Sequence, residues 1–145
     1  MKAKFLSVLL ALTMVLSLLP TAVLAKDKTV STEEELKQAI ESVSDGDTIT
    51  VSGTIEVNAP LVVTHTITLT GGSIVASNNF TSNSNQLADF NLISLKTAGK
   101  TLTLKNITLN ANGKSLVVYC NAGKVVVDGA TITGGKTSSY VAGVY

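Results

Sequence analysis

The tetrapeptide Thr97-Ala98-Gly99-Lys100 returns as Asn121-Ala122-Gly123-Lys124, 24 residues further on. Ahead of each copy stands a short apolar run, Leu92-Ile93-Ser94-Leu95 and Leu116-Val117-Val118-Tyr119, at the same spacing. Behind each come two more runs: Leu102-Thr103-Leu104 with Ile107-Thr108-Leu109, and Val125-Val126-Val127 with Ala130-Thr131-Ile132. These last pairs match at 23, so one residue is lost in the turn. Ile93, Val117 and Val141 keep the interval of 24, so a further copy opens near Tyr145. A period of this size built from three short strands describes a solenoid. Each period makes one circuit, and equivalent strands of successive circuits stack in parallel about 4.8 Å apart. Alternate side chains then point into a shared core. An antiparallel β-sandwich also has evenly spaced strands, but it does not require a turn motif to recur at a fixed offset.

The same period-2 pattern runs through the preceding segment. Thr48-Ile49-Thr50-Val51, Thr54-Ile55-Glu56-Val57, Leu61-Val62-Val63, Thr66-Ile67-Thr68-Leu69 and Ser73-Ile74-Val75 read as strands, with Gly, Asn, Pro and Thr in the turns between them. Upstream the period is helical instead. Leu36, Ala39, Ile40 and Val43 fall at i, i+3, i+4 and i+7, one apolar stripe on one helix face. Ser31 or Thr32 is the expected N-cap, and Glu34 or Glu35 completes a capping box. Asp45-Gly46-Asp47 ends the helix, with Gly46 suited to the left-handed position beyond it. A solenoid leaves its first coil open, with unpaired backbone groups and bare apolar side chains. An amphipathic helix laid across that end would cover it. At the other end no cap is present. The chain is therefore expected to be the opening part of a longer protein, or to need a partner against its last coil.

The first 25 residues stand apart. Lys2 and Lys4 precede the apolar stretch Phe5 to Leu19, Pro20 breaks it, and Val23-Leu24-Ala25 supplies a cleavage site. This is the pattern of a secretory signal peptide. A membrane anchor would need about 20 unbroken apolar residues. The segment holds 18 of the 65 apolar residues, which explains the overall 45%. The remaining 120 residues carry nine Lys, ten acids and no Arg, which gives no electrostatic footprint for nucleic acid. The expected organisation is a signal peptide over 1–25, an N-terminal segment with the capping helix over 26–47, and coils over 48–145. A secreted or extracellular location follows, with no membrane span in the mature chain. Cys120 is the lone Cys, so no internal disulfide is available.

The order of export signal, Glu-rich helix and coils resembles the right-handed parallel β-helix superfamily of pectin and pectate lyases. The carrying residues are Glu35-Leu36-Lys37-Gln38-Ala39-Ile40 followed by the strand start Gly46-Asp47-Thr48-Ile49. The resemblance covers roughly residues 30–145 and concerns architecture. It implies an all-β fold, a right-handed parallel β-helix with an N-terminal amphipathic capping helix. The superfamily includes polysaccharide lyases, polygalacturonase-type hydrolases, phage tailspikes and bacterial surface adhesins. The signal segment is similar to those of Gram-positive bacteria, whose β-helices often belong to long surface proteins.

Catalytic chemistry is hard to assemble from these residues. A calcium site wants six to eight oxygen ligands, and glycoside hydrolysis wants a carboxylate pair. Residues 60–145 contain only Asp89 and Asp128. The missing Arg removes a common lyase base, and Lys96, Lys100 and Lys124 read as turn charges. His65, the single His, reads as a turn residue, and Cys120 as a packed small side chain. Thr68 and Thr103 align with Val126 or Val127, which breaks any outward Thr array. No catalytic residue, metal or cofactor is therefore expected. The segment Ser77 to Phe90 is different, because it overshoots the period by about a dozen residues. Insertions in solenoids become loops on one side, often the binding side. Asn78, Asn79, Phe80, Asn83, Asn85 and Gln86 are thus the candidate ligand-binding residues, with amides for sugar hydroxyls and Phe80 for a sugar face. The expected function is a non-catalytic cell-surface, adhesin-like or glycan-binding module, its partner a polysaccharide or a host cell-surface glycan. The alternative is a polysaccharide lyase or glycoside hydrolase whose catalytic coils lie beyond residue 145.

Overall fold

The computed structural model describes residues 25–83, 85–136 and 144. Residues 1–24 of the signal-peptide segment and Val141 lie outside the described residues. Twelve strands and one α-helix make up most of it. They are β1 (Asp27–Val30), α1 (Glu33–Ser42), β2 (Asp47–Val51), β3 (Thr54–Val57), β4 (Leu61–Val63), β5 (Ile67–Thr70) and β6 (Ser73–Ala76). After a 3-10 turn at Leu87–Asp89 follow β7 (Asn91–Leu95), β8 (Thr101–Lys105), β9 (Thr108–Asn110), β10 (Leu116–Cys120), β11 (Lys124–Asp128) and β12 (Thr131–Thr133).

The strands form three sheets with neighbour orders β1-β2-β5-β8-β11, β3-β6-β9-β12 and β4-β7-β10. Every strand pair within them is parallel. From β2 onward the chain enters the five-stranded, the four-stranded and the three-stranded sheet in that order, and repeats the order to β12. The mostly-β, parallel character expected from the sequence is therefore present, and no sheet closes on itself.

Alternation decides which side chains meet. Ile49 pairs with Leu69 and Leu69 with Leu104, one inward column of the five-stranded sheet, while Val127, the register partner of Leu104, is 49% exposed. Ile55, Ile74, Leu109 and Ile132 form the matching column of the four-stranded sheet. Leu61, Ile93 and Val118 do so in the three-stranded sheet. Columns from all three sheets join in one buried apolar cluster. The outward Thr48, Thr68 and Thr103 stack in register and end against Val126, so the Thr column is broken as expected.

Two corrections concern register and the helix end. The sequence repeat aligned Ile93 with Val117 at 24, whereas Asn91 pairs with Leu116 and Ile93 with Val118, an offset of 25. Five residues connect β7 to β8 but only three connect β10 to β11, so the offset drops to 23 and passes 24 at the turn motif. A slip of one would have sent each inward side chain of β10 to the outer face. Gly46, for its part, lies in the turn entering β2 and donates its N–H to the Thr66 carbonyl, with φ +97°. The helix itself ends earlier, at Val43, whose extended backbone turns the chain away. β1 was not foreseen, because only Val30 of its four residues is buried.

The helix starts as its sequence dictates. Thr32 Oγ1 accepts the Glu35 N–H at 3.2 Å, and Glu35 Oε2 accepts the Ser31 N–H at 2.7 Å. Leu36, Ala39 and Ile40 are buried and Val43 with them. The helix packs against β1, β2, β3 and β4, the first strands of all three sheets. Glu33 fastens its start to the turn after β3, accepting the Asn58 N–H at 2.9 Å and Asn58 Nδ2 at 2.7 Å. Near its end Lys28 Nζ donates to Ser42 Oγ at 2.7 Å.

The repeated Ala-Gly-Lys turn also has a structural cause. Gly99 and Gly123 both take left-handed backbone at the corner leading into the five-stranded sheet. Gly123 lies directly on the earlier copy: a Cβ there would stand 2.7 Å from the Lys100 carbonyl oxygen and 2.9 Å from that of Thr97.

Candidate functional site

The insertion Ser77 to Phe90 is anchored at both ends. Asn58, already tied to Glu33 of α1, accepts the Ser77 hydroxyl on Oδ1 at 2.7 Å and the Thr81 N–H on its carbonyl at 3.0 Å. Phe80 and Phe90 are buried. Between them Asn83 Oδ1 accepts the Asn85 N–H at 3.1 Å, and the Gln86 carbonyl accepts from Asp89 and Phe90 at the 3-10 turn. Asn91 Nδ2 donates to the Ala88 carbonyl at 2.7 Å, fixing the exit into β7.

Five consecutive residues of β7 are buried, so both faces of that strand are covered. On the inner side lies the common core. On the outer side Val62, Ser94 and Tyr119 form one register row. Ser94 is fully buried, while Val62 is 46% exposed. Between this outer face and the insertion lies a groove of about 470 Å³ lined by Pro60, Val62, Thr81, Ser82, Asn83, Ala88, Asp89, Ser94 and Lys96. Lys96 Nζ meets Asp89 Oδ1 at 2.8 Å across it, with both side chains partly exposed. An exposed pair of this kind adds little stability, but it fixes one donor and one acceptor group beside the apolar Val62. A second depression of about 200 Å³ is lined by Pro60, Leu61 and Val62 together with Lys37, Ile40 and Glu41 of α1, and has Pro60 and Val62 in common with the first.

Of the six residues expected to bind ligand, Asn83 lines the groove. Asn78, Asn79, Asn85 and Gln86 are exposed but lie outside its lining. Phe80 packs in the apolar core at 8% exposure, so its ring holds the insertion down rather than facing solvent. Val62 and Ser94 were not among the residues expected from the sequence, and Asp89 and Lys96 were read there as a lone carboxylate and a turn charge. Val62 was legible as the outward residue of Leu61-Val62-Val63, but its proximity to Asp89 depends on how the insertion folds.

The remaining residues of chemical interest are structural. Lys100 pairs with Asp45, and the Thr66 N–H donates to Asp45 Oδ1 at 2.8 Å. The Lys100 ammonium, then the Thr66 N–H, hold the Asp45 carboxyl below the usual carboxylate range. Asp47 is buried and accepts the Lys26 N–H at 2.8 Å and the Ser44 N–H at 2.9 Å, and these two bonds lower it likewise. For Glu33, burial pulls the pKa upward, but the bonds from Lys37 and Asn58 outweigh it and the net direction is down. His65 Nδ1 lies 3.0 Å from Thr64 Oγ1 in the turn after β4. Cys120 pairs with Leu95 in register with Val63 and packs against the core, so it faces inward. Among the described residues no three His, Cys, Asp or Glu side chains lie together as a metal site, and no helix is long and apolar enough to cross a membrane. Searches against family models, curated proteins and solved structures found no match to the chain.

Proposed function

We propose that the chain is a secreted right-handed parallel β-helix with a capping helix at its start, and that it serves as a non-catalytic, glycan-binding module at a cell surface. The cyclic order of three parallel sheets supports the β-helix reading, and the position of α1 across the first strands supports a capped beginning. The observation that carries the binding reading is the groove under the insertion. It combines an exposed apolar floor at Val62 with hydroxyls, an amide and a fixed ion pair at its walls. A sugar ring offers apolar C–H faces and a rim of hydroxyls, so it needs this mixture. Concave sites with an apolar lining and a few fixed polar groups are the usual form of small-ligand sites.

The test is a glycan-array screen of the mature chain beside its Val62→Arg variant. The groove reading expects a defined set of oligosaccharides bound by the parent and lost in the variant, with the circular dichroism of the two unchanged. Absence of binding by the parent, or binding untouched by Val62→Arg, would overturn it.

A further inference from the structure

We infer that the ligand is a linear, uncharged oligosaccharide that crosses Val62 and occupies both depressions. The inference rests on the glycan-binding reading and specifies its ligand. The two depressions share Pro60 and Val62, so they meet at one exposed apolar side chain. One lies toward α1 and the other toward β7, which places them one after the other along the direction in which strands stack. A ligand filling one therefore has a continuation into the other across Val62.

Charge decides the ligand class. The larger depression carries one cation and one anion, Lys96 and Asp89, paired at 2.8 Å. The smaller also carries one of each, Lys37 and Glu41, and Lys37 is further paired with Glu33 at 2.6 Å. Neither depression holds an excess of positive charge for a carboxylate or sulfate group. A polyanionic chain would set its charges beside Asp89 and Glu41 with each lysine already partnered or balanced. A neutral chain meets donors and acceptors in equal supply, and its C–H faces meet Val62 and Pro60.

The test is isothermal titration of the mature chain with cello-, xylo- and malto-oligosaccharides from disaccharide to hexasaccharide, and with oligogalacturonates of the same lengths. The expected result is that one neutral series binds, with the hexasaccharide about tenfold tighter than the disaccharide once both depressions are filled. Glu41→Ala should abolish most of that gain, so that its hexasaccharide binds little tighter than its disaccharide. Length-independent affinity, a gain insensitive to Glu41→Ala, or tighter binding of the oligogalacturonates would overturn the inference while leaving a glycan-binding groove in place. Failure of every series to bind would overturn the binding reading itself.

Discussion

Asp45 and Lys100 are 55 residues apart in sequence and form an ion pair at one corner of the fold. Between them lies the turn Thr64-His65-Thr66, whose Thr66 N–H donates to the other oxygen of Asp45. Thr66 Oγ1 in turn accepts the Thr101 N–H at 3.2 Å. One carboxylate therefore fastens three successive passes of the chain through the same corner.

Acid should loosen this corner. Asp45 and Asp47 both have folded pKa values below their ordinary ones, so their contribution is complete where the unfolded carboxyls are also ionised. It declines as pH falls below about 4, the unfolded Asp value, and is gone once the folded carboxyls are protonated. Thermal melts from neutral pH to pH 2 should show a falling midpoint over that acid limb. Lys100→Met should flatten the limb, because Asp45 loses its main cause of depression. An acid limb identical in Lys100→Met would contradict the assignment.

Gly72 should tolerate no side chain. It has φ +36°, and a Cβ there would stand 2.3 Å from the Gly53 carbonyl oxygen and 2.8 Å from that of Val51. Both obstacles are backbone, so the stacked turns must part. Gly72→Ala is expected to cost about 1–3 kcal/mol from backbone strain, with the clash added, measured by urea unfolding. An unchanged midpoint would show that these turns do not stack as described.

The helix should behave as part of the core. Leu36 is fully buried on a helix that packs against the first strands of all three sheets, so Leu36→Ala is expected to cost about 2–5 kcal/mol. Thr32→Ala removes only the cap to the Glu35 N–H and should cost about 1 kcal/mol. Comparable small losses for both would mean that the helix lies loosely on the fold.

The local elements were legible because their signals are local. Alternation in Thr48 to Val51 or Leu102 to Leu104 fixes a strand and its inward face without reference to any neighbour. The capping box at Thr32 and Glu35 is equally self-contained. Register was harder, since the loss of two residues between β7–β8 and β10–β11 is invisible to a motif that sits midway. The groove was least legible. Asn83 and Val62 are 21 residues apart, and only the fold of the insertion brings them to one wall and one floor. Phe80 misled for a related reason: an aromatic residue amid asparagines reads as display, yet burial of its ring is what holds the loop in place.

The stacking of the parallel strands is tested most directly across the insertion, between β5 and β8. Thr68 and Thr103 are register partners there, 35 residues apart, and both face outward. Neighbouring strands bring such Cα atoms within disulfide range. In a Cys120→Ser background, Thr68→Cys with Thr103→Cys is expected to form an intramolecular disulfide under mild oxidation, with the strand spectrum retained. If that pair stays reduced in folded protein, or closes only between molecules, the insertion is not an overshoot between stacked strands and the groove beneath it is not built as described.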